Sequence, residues 1–271
     1  MTGLGAEPWT DSAKWPDGSD TFVEAFAKGL LVISSFADQR KLTLTDVAQR
    51  TGLTRAGARR LLHTLLALGM VRQDRDSFSL TPRVLQLGFS YLSSLSLREV
   101  AQPVIEILSR KANEVVAISV LDGADVVYVA RAEVTSVLRR GLMTGSRIPA
   151  FCTSMGRVLL AGLPQQDCRT VLQNSERRQW TRITTTDVRK LEQEVTKVRD
   201  QGWSMVVDEL ELGAFGMSVP IHGPNGNTVA AINLSTNLAR HAPNALFKRF
   251  MPALKSAATE ITQHLAAYGP Q

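Results

Sequence analysis

The sequence of 271 residues lacks the features that mark several classes of protein. It has two cysteines, Cys152 and Cys168, and four isolated histidines, so neither a disulfide framework nor a metal site is indicated. It contains no Gly-rich phosphate loop, no nucleophile elbow and no apolar run of the ~18 residues that a membrane span needs. We therefore expect no cofactor. The first twenty residues do not resemble a secretory signal, so we expect a cytoplasmic protein.

What the chain does have is a local excess of positive charge. The whole chain carries a net charge of +6, and the segment from Arg40 to Arg83, with nine basic and three acidic residues, carries the same net charge. The basic residues are Arg40, Lys41, Arg50, Arg55, Arg59, Arg60, Arg72, Arg75 and Arg83, and the acidic ones are Asp46, Asp74 and Asp76. A basic patch confined to one segment is typical of a surface that binds phosphates. A solvated basic face without a partner is the alternative.

Helix signals in this segment follow the order of a helix-turn-helix. Thr43 and Asp46 form the start of a helix that resembles a capping box, and Gly52 suits a left-handed helix end. Thr54 is placed to cap a second helix over 55–68. Two helices joined by a short turn that contains glycine predict the helix-turn-helix motif.

The second of these helices divides its side chains into an apolar and a basic set. The apolar set is Ala58, Leu61, Leu62 and Leu65, and the basic set, at spacings of four with one neighbour, is Arg55, Arg59, His63 and Arg60. The first turns of a recognition helix meet base edges in the major groove, and a basic face there fits that role. An ordinary amphipathic surface helix is the alternative.

A β-hairpin is predicted directly after this helix. Met70–Arg72 and Ser77–Leu80 have the pattern of two short strands around a turn at 73–76. A hairpin in this place is a wing, and Arg72 and Arg75 are placed to touch phosphates or a minor groove. The hairpin completes a predicted winged helix-turn-helix.

The composition divides the rest of the chain into further segments. We predict a flexible arm over 1–20 and a first helix from Thr21 to about Ala37 with an apolar stripe of Phe22, Phe26, Leu30 and Ile33. Residues 84–99 are predicted to form a linker helix, whose leucines pack against a partner chain or within the core. Pro103 is expected to separate this helix from a second one over 104–112.

The C-terminal part has the pattern of an α+β domain with a mainly antiparallel sheet. Hairpins are predicted around Asp122-Gly123 and around Asn225-Gly226, with another strand over 204–208. Helices are predicted over 154–161, 165–173, 187–200, the last capped by Thr186, and about 243–267. Hairpins interspersed with helices are typical of α+β folds.

Two segments of this domain indicate a ligand pocket. The loop from Gly145 enters a helix at Thr153 or Ser154, where free N–H groups and the helix dipole favour a carboxylate. Plain N-capping is the alternative there. Acidic residues at 208–211 face a predicted strand at 233–235, where they accept hydrogen bonds from a ligand or simply face solvent. Cys152 with His222 as its base would suit an enzyme, but a buried structural cysteine is commoner.

Three motifs together resemble those of the IclR family of bacterial transcription regulators, over essentially Phe22 to Ala267. They are Leu44-Thr-Asp-Val-Ala48 with Thr51-Gly-Leu-Thr54, Gly202-Trp-Ser with Glu209-Leu-Glu211-Leu-Gly213 and Val219-Pro-Ile221, and the stretch Arg147–Ala161. The last motif is similar to the branch that controls aromatic-acid catabolism, the protocatechuate and 4-hydroxybenzoate regulators. That branch usually has a Leu-Arg-Ser-like run after Gly213, where this chain has Ala214-Phe215-Gly216.

The resemblance implies a winged helix-turn-helix domain over 21–83, a linker helix over 84–99 and a GAF-like effector domain over 100–271. It implies dimers, or dimers of dimers, on double-stranded operator DNA, and a small organic, most simply aromatic, acid as effector. The candidate effector-binding residues carried over by position are Cys152, Thr153, Ser154, Met155, Asp208, Glu209, Met217, Asn233 and Ser235. The candidate DNA-contacting residues are Thr43, Thr45, Thr54, Arg55, Ala56, Arg59, Arg60, His63, Arg72 and Arg75.

The predicted function is therefore a ligand-responsive repressor or activator of an aromatic-acid degradation operon, and not an enzyme. A small-molecule sensor that docks a partner other than DNA is one alternative. An enzyme that uses the C-terminal pocket is the other.

Overall fold

The computed structural model describes residues 15–16, 21–87, 96–133, 142–238 and 242–268. The chain divides into two compact units, Met1–Tyr91 and Leu92–Gln271, which we call the N-terminal and C-terminal units. The predicted arm over 1–20, apart from Trp15 and Pro16, and residues 88–95 of the predicted linker helix over 84–99 lie outside the described residues. Both therefore stay predictions.

The described part of the N-terminal unit contains three α-helices, a 3-10 helix over Pro82–Val84 and a small antiparallel sheet. Its elements are α1 (Glu24–Ser34), β1 (Leu42–Thr43), α2 (Leu44–Thr51), α3 (Arg55–Ala67), β2 (Val71–Asp74) and β3 (Ser77–Leu80). The sheet order is β1-β3-β2. The predicted helix-turn-helix and wing are confirmed. The two residues of β1 were not predicted, because so short a strand shows no alternation.

The predicted caps account for the ends of α2 and α3. The Thr43 hydroxyl accepts a hydrogen bond from the Asp46 N–H, and the Asp46 carboxylate accepts one from the Thr43 N–H at 2.8 Å. Gly52 ends α2 in the left-handed conformation at φ +67°, which glycine adopts without steric cost. The Thr54 hydroxyl accepts from the Gly57 N–H at 3.1 Å and begins α3.

Helix α1 is shorter than predicted, and its apolar stripe does not form the core. Leu31 and Val32 are its buried residues, whereas the Phe26 side chain is 69% exposed. The predicted stripe instead lines an open groove of about 1240 Å³ between α1 and α3. The C-terminal turns of the helix pack into the core, and its N-terminal turns lie outside the core.

The C-terminal unit is built on a six-stranded antiparallel sheet with the order β6-β5-β4-β9-β8-β7. Its strands are β4 (Val115–Asp122), β5 (Asp125–Ala132), β6 (Arg147–Pro149), β7 (Ser204–Val207), β8 (Ala214–His222) and β9 (Thr228–Asn237). Its helices are α4 (Ser96–Ala112), α5 (Ser154–Ala161), α6 (Gln165–Asn174), α7 (Val188–Gln201) and α8 (Pro243–Tyr268). The predicted α+β class is confirmed, and β6 is an additional short strand.

Helices cover both faces of this sheet. Helices α4 and α8 pack on one face, with Ile105, Leu254 and Ile261 in the main core. Helix α5 packs on the other face, with α6 and α7 outside it. Because side chains alternate along a strand, each strand contributes residues to both layers. The ligand cavity described below lies on the α5 side.

Two predictions about helix ends were wrong. Helix α4 runs through Pro103 without a break. Proline at this place removes one backbone hydrogen bond, but Ala101, Val104 and Ile105 bury the helix on both sides of it, and this burial offsets the loss. The cap of α7 is Asp187 rather than Thr186, because the Asp187 carboxylate accepts from the Lys190 N–H at 2.9 Å.

Candidate nucleic-acid interface and effector pocket

Helix α3 presents a basic face to solvent. Ala58, Leu62 and Leu65 are its buried residues and fix the helix against the N-terminal core. The ten predicted DNA contacts are all exposed: Thr43, Thr45, Thr54, Arg55, Ala56, Arg59, Arg60, His63, Arg72 and Arg75. A rigid helix with an apolar back and a cationic front is what a major-groove reader requires.

The described carboxylates leave the charges on this face largely unneutralised. Among the described residues from Arg40 to Arg83, the ion pairs are those of Lys41 with Asp74, at 2.7 Å, and of Arg50 with Asp38. These pairs lower the pKa of both carboxyls, chiefly through the hydrogen bond from the cation. No described carboxylate pairs with the arginines of α3 or the wing, so their charge faces solvent.

The wing holds its two arginines in different ways. The Arg72 Nε donates to the Ser79 hydroxyl at 2.9 Å across the hairpin, which orients the guanidinium along β2. Arg75 lies in the turn with φ +54°, an uncommon conformation for a residue other than glycine. The Thr43 and Thr54 hydroxyls are engaged as helix caps.

The C-terminal unit contains a cavity of about 300 Å³ on the α5 side of the sheet. Its walls are the start of α5, the ends of β8 and β9, residues of β4 and β5, and the loop 208–213. Eight of the nine predicted effector residues line it: Cys152, Thr153, Ser154, Met155, Asp208, Glu209, Asn233 and Ser235. The volume is at the lower end of the range for ligand pockets and suits a small molecule.

Met217 is the predicted effector residue that does not line the cavity. Its side chain is fully buried in the main core on the α4 and α8 side of the sheet. The neighbouring residues on β8, Gly216 and Ser218, face α5 instead. The strand is thus predicted correctly, but Met217 lies on the face of the sheet opposite to the cavity.

Three buried polar side chains connect α5 to the sheet. The hydroxyls of Ser154 and Ser218 are 2.8 Å apart, and each lies 3.1 Å from Asn233 Oδ1. All three residues are at most 2% exposed. The Nδ2 of Asn233 has no hydrogen-bond partner among the described residues. A buried amide donor without a partner costs free energy, so a ligand that accepts from it gains affinity.

Glu209 is engaged within the protein rather than free for a ligand. Its carboxylate oxygens lie 2.7 and 2.9 Å from Arg157 Nη2, and one accepts from the Thr185 N–H at 3.0 Å. The Thr184 hydroxyl donates to the Glu209 carbonyl at 2.6 Å. The pair is buried, and it fastens the loop 208–213 to α5 and to the segment before α7. Arg157 in this role was not predicted.

The loop 208–213 closes on itself at its base. The Asp208 carboxylate accepts from the Gly213 N–H, and both residues have positive φ, +59° and +83°. The Asp208 N–H donates to the Ala214 carbonyl at 2.8 Å. This short closure gives the predicted acidic run a defined shape at the cavity wall.

Cys152 lines the cavity without being activated as a nucleophile. Burial, helped by the nearby Glu209 carboxylate, raises the pKa of its thiol to about 12. His222, the base considered for it, does not line the cavity. Within the described ranges, no three metal-ligating side chains are grouped to hold an ion, and no helix is long and apolar enough to cross a bilayer.

Other residues of the cavity were not predicted. They include Tyr128 on β5 and the apolar residues Leu142 and Val206, whereas Ile148 and Leu210 lie within the two predicted segments. Tyr128 is 6% exposed and sits among the apolar side chains between the sheet and α5. The alternation of β5 points to this face, but the sequence alone does not show which strands meet there.

Both units match models of a known family. The model "IclR helix-turn-helix domain" matches residues 25–75, and the model "Bacterial transcriptional regulator IclR C-terminal" matches residues 89–263. The chain belongs to the IclR family. This IclR protein is therefore a DNA-binding transcriptional regulator whose C-terminal domain responds to a ligand.

Relatives of this IclR protein include two regulators whose names refer to aromatic-acid genes. The Pca regulon regulatory protein of Pseudomonas putida is 38% identical, over 92% of this chain and 86% of its own length. The p-hydroxybenzoate hydroxylase transcriptional activator of Acinetobacter baylyi is 34% identical, over 90% and 92%.

Solved structures of the family agree with the fold. A transcriptional regulator from Rhodococcus sp. RHA1 is 47% identical, with a TM-score of 0.82 over 91% of this chain and 99% of that one. The inducer-binding domain of PobR from Acinetobacter, as a double mutant in complex with 3-hydroxybenzoic acid, is 29% identical. Its TM-score is 0.58, over 62% of this chain and 98% of that one.

Proposed function

We propose that this regulator controls an aromatic-acid degradation operon and that its cavity binds the carboxylate of a small aromatic acid at the start of α5. The names of the relatives support the pathway, and the PobR domain in complex with 3-hydroxybenzoic acid supports the class of ligand. The volume of the cavity, about 300 Å³, suits one substituted ring.

The observation that carries this proposal is the unpaired amide of Asn233 beside the first turn of α5. The N–H groups of Ser154 and Met155 lie in that turn, where a helix leaves its donors without intrahelical partners. Asn233 Nδ2 adds a third donor at the same place, since Asn233 Oδ1 lies 3.1 Å from the Ser154 hydroxyl. Neutral donors grouped near a helix N-terminus suit a carboxylate.

Ligand binding to the full chain tests the effector site. In a thermal-shift screen of small aromatic and aliphatic acids, the effector should raise the melting temperature, because it binds the folded state. Asn233→Asp keeps the acceptor for the two serine hydroxyls but replaces the free donor with a negative charge, so it should abolish this shift. Asn225→Asp, in the exposed turn between β8 and β9 and outside the cavity lining, is the matched control. An Asn233→Asp variant that binds acids normally would refute the assignment.

We further propose that the exposed face of α3 and the wing contact operator DNA. The proposed contacts are Thr43, Thr45, Thr54, Arg55, Ala56, Arg59, Arg60, His63, Arg72 and Arg75. Arg55 or Arg59 reads a guanine by two hydrogen bonds, which is worth ~1–3 kcal/mol of discrimination. A gel shift with the gene's own upstream region should show specific binding that Arg59→Ala weakens for the cognate sequence more than for a scrambled one. Equal loss on both sequences would count against base reading.

Two copies of the chain, or four, would engage an inverted-repeat operator in the cytoplasm, and the effector would alter this binding. The coupling is reciprocal: if the effector changes operator affinity by some factor, the operator changes effector affinity by the same factor. Effector titrations with and without operator DNA measure both sides. Identical effector affinities in the two titrations would contradict ligand control of DNA binding.

A further inference from the structure

The C-terminal end of helix α3 is joined by direct contacts to the beginning of the predicted linker. Residues Pro82–Val84 form the 3-10 helix, and residues 85–87 are helical as well. The Thr81 hydroxyl, which caps the 3-10 helix, also donates to the Gly69 carbonyl at 2.6 Å. The Thr81 N–H donates to the Met70 carbonyl at 2.9 Å. The chain therefore enters the linker from a point that is fixed to the end of α3.

Arg83 lies against this end of α3. Its Nη1 donates to the carbonyl of the C-cap residue Leu68 at 3.2 Å, at a place where a helix leaves its carbonyls without intrahelical partners. The last turn of α3 has no basic residue of its own, so Arg83 supplies the cation that the negative end of the helix dipole favours. Within the described ranges, no carboxylate forms an ion pair with Arg83. The helix end therefore orients the guanidinium.

Gly69 leaves the space that this guanidinium occupies. A Cβ at position 69 would lie 2.8 Å from Arg83 Nη1 and 3.3 Å from Arg83 Cδ, so the arginine side chain would have to move. Gly69 also has φ +71°, a left-handed conformation that glycine adopts without steric cost. Any other residue at position 69 would thus displace Arg83 from the end of α3.

Arg83 lies at the opposite end of α3 from the turns that we propose to read DNA. The helix has 13 residues, so its two ends are about 20 Å apart at about 1.5 Å per residue. Arg55 and Arg59 lie in its first turns, whereas Leu68 follows the last turn. The Debye length at physiological salt is about 8 Å, so a phosphate beside Arg55 interacts little with a charge at Leu68. Arg83 can then affect recognition chiefly through the position of the helix.

From this arrangement we propose that Arg83 is a positioning residue for DNA recognition, which fixes α3 to the start of the linker so that the linker sets the orientation of the helix that reads DNA. This inference rests on the proposed contacts of α3 with the operator. Ala58, Leu62 and Leu65 bury the helix without Arg83, so its loss leaves α3 folded but less precisely oriented. Base contacts specify the sequence and depend on that orientation, whereas phosphate contacts carry no sequence information.

Binding of the full chain to the gene's own upstream region and to a scrambled sequence, measured at several salt concentrations, tests this proposal. Arg83→Ala should lower the ratio of the two affinities by about 5-fold or more, the smaller value for one bidentate base contact. The slope of log affinity against log salt should stay that of the wild type, because Arg83 in this role neutralises no phosphate. Arg40→Ala, which removes another exposed charge of the same unit, is the matched control and should keep the wild-type ratio.

Gly69→Ala is a second variant, which keeps every charge but displaces the guanidinium from the end of α3. It should lower the ratio as Arg83→Ala does. The double variant should lose no more than Arg83→Ala alone, because both changes remove the same contact. Losses that multiply in the double variant overturn the inference. So does an unchanged ratio or a reduced salt slope for Arg83→Ala.

Arg59→Ala separates this inference from the proposed function. If Arg59→Ala lowers the ratio and Arg83→Ala does not, the positioning role of Arg83 is refuted and the proposed contacts of α3 stand. If neither variant lowers the ratio, the proposed contacts of α3 are refuted as well.

Discussion

The buried pair of Arg157 and Glu209 provides a quantitative test of how the effector domain is held together. The two side chains are 6% and 11% exposed, so water screens the pair little. Removing one partner leaves the other charge buried and uncompensated, which costs ~3–5 kcal/mol. The stability of a whole domain is about 5–15 kcal/mol. We therefore expect Arg157→Met and Glu209→Leu each to remove about a fifth or more of the stability of the C-terminal unit.

The double variant separates this effect from ordinary loss of packing. With both charges gone, the penalty of an isolated buried charge disappears, and apolar replacements of buried pairs are often neutral. The Thr185 N–H still loses its acceptor, so a residual cost of about 1 kcal/mol is expected. The double variant should therefore be more stable than either single variant.

Differential scanning calorimetry of the full chain measures these effects, with the transition of the C-terminal unit identified by its shift on effector binding. For a unit of this size, 1 kcal/mol corresponds to about 2–4 °C, so each single variant should melt about 6–20 °C lower. A single variant that melts within 2 °C of the wild type would refute the reasoning. So would a double variant that melts at or below the lower of the two single variants.

Three further predictions concern individual residues. Arg72→Ala should weaken binding to all DNA sequences alike and lower the slope of log affinity against log salt by about one. Arg50→Ala, where the lost charge is paired with Asp38, should leave the slope unchanged. An unaltered slope for Arg72→Ala would refute its contact with a phosphate. Hydrogen bonds from Thr43 lower the pKa of the Asp46 carboxyl below its ordinary 3.8. The carboxylate therefore stabilises α2 above pH 3.8, and this stabilisation is lost as the pH falls through the lower pKa of the folded state. Asp46→Asn should flatten the acid end of the curve of stability against pH, and an identical curve would contradict the role of Asp46 in the cap. Gly216→Ala would place a Cβ 2.8 Å from the Ser154 hydroxyl. Effector affinity should therefore fall, while operator binding in the absence of effector should be unchanged. Unchanged effector affinity would exclude Ser154 from the effector site.

The N-terminal unit could be predicted closely because its signals are local. Thr43, Gly52 and Thr54 each mark a helix end within a few residues of the hydrogen bond that they form, and the structure shows those bonds. The core contribution of α1 was not predictable in the same way. Which side of α1 is buried depends on where α2 and α3 pack, and the buried residues are Leu31 and Val32 rather than the predicted stripe.

The cavity could be predicted only in part, because strands that are distant in sequence form it. The segments 152–155 and 208–209 and the strand at 233–235 were identified, and they meet as expected. Tyr128 has no local signal, since its role depends on β5 pairing with β4 and on α5 covering that face. Met217 shows the limit most directly: a shift of one residue along a strand exchanges the two faces, and the sequence does not fix which face meets α5.

The alternation of β8 also separates specificity from stability. Met217 and Val219 pack into the main core, whereas Gly216 and Ser218 face α5 and the polar network of Ser154 and Asn233. A substitution at Gly216 or Ser218 therefore alters the ligand site without emptying the core. The chain departs from the aromatic-acid branch at Ala214-Phe215-Gly216, where that branch usually carries a basic residue. Without that residue, no cation among the described lining residues is available to hold a carboxylate. In the proposed site the acid is bound by neutral donors at α5 and Asn233, so effector affinity should depend less on salt than operator affinity does.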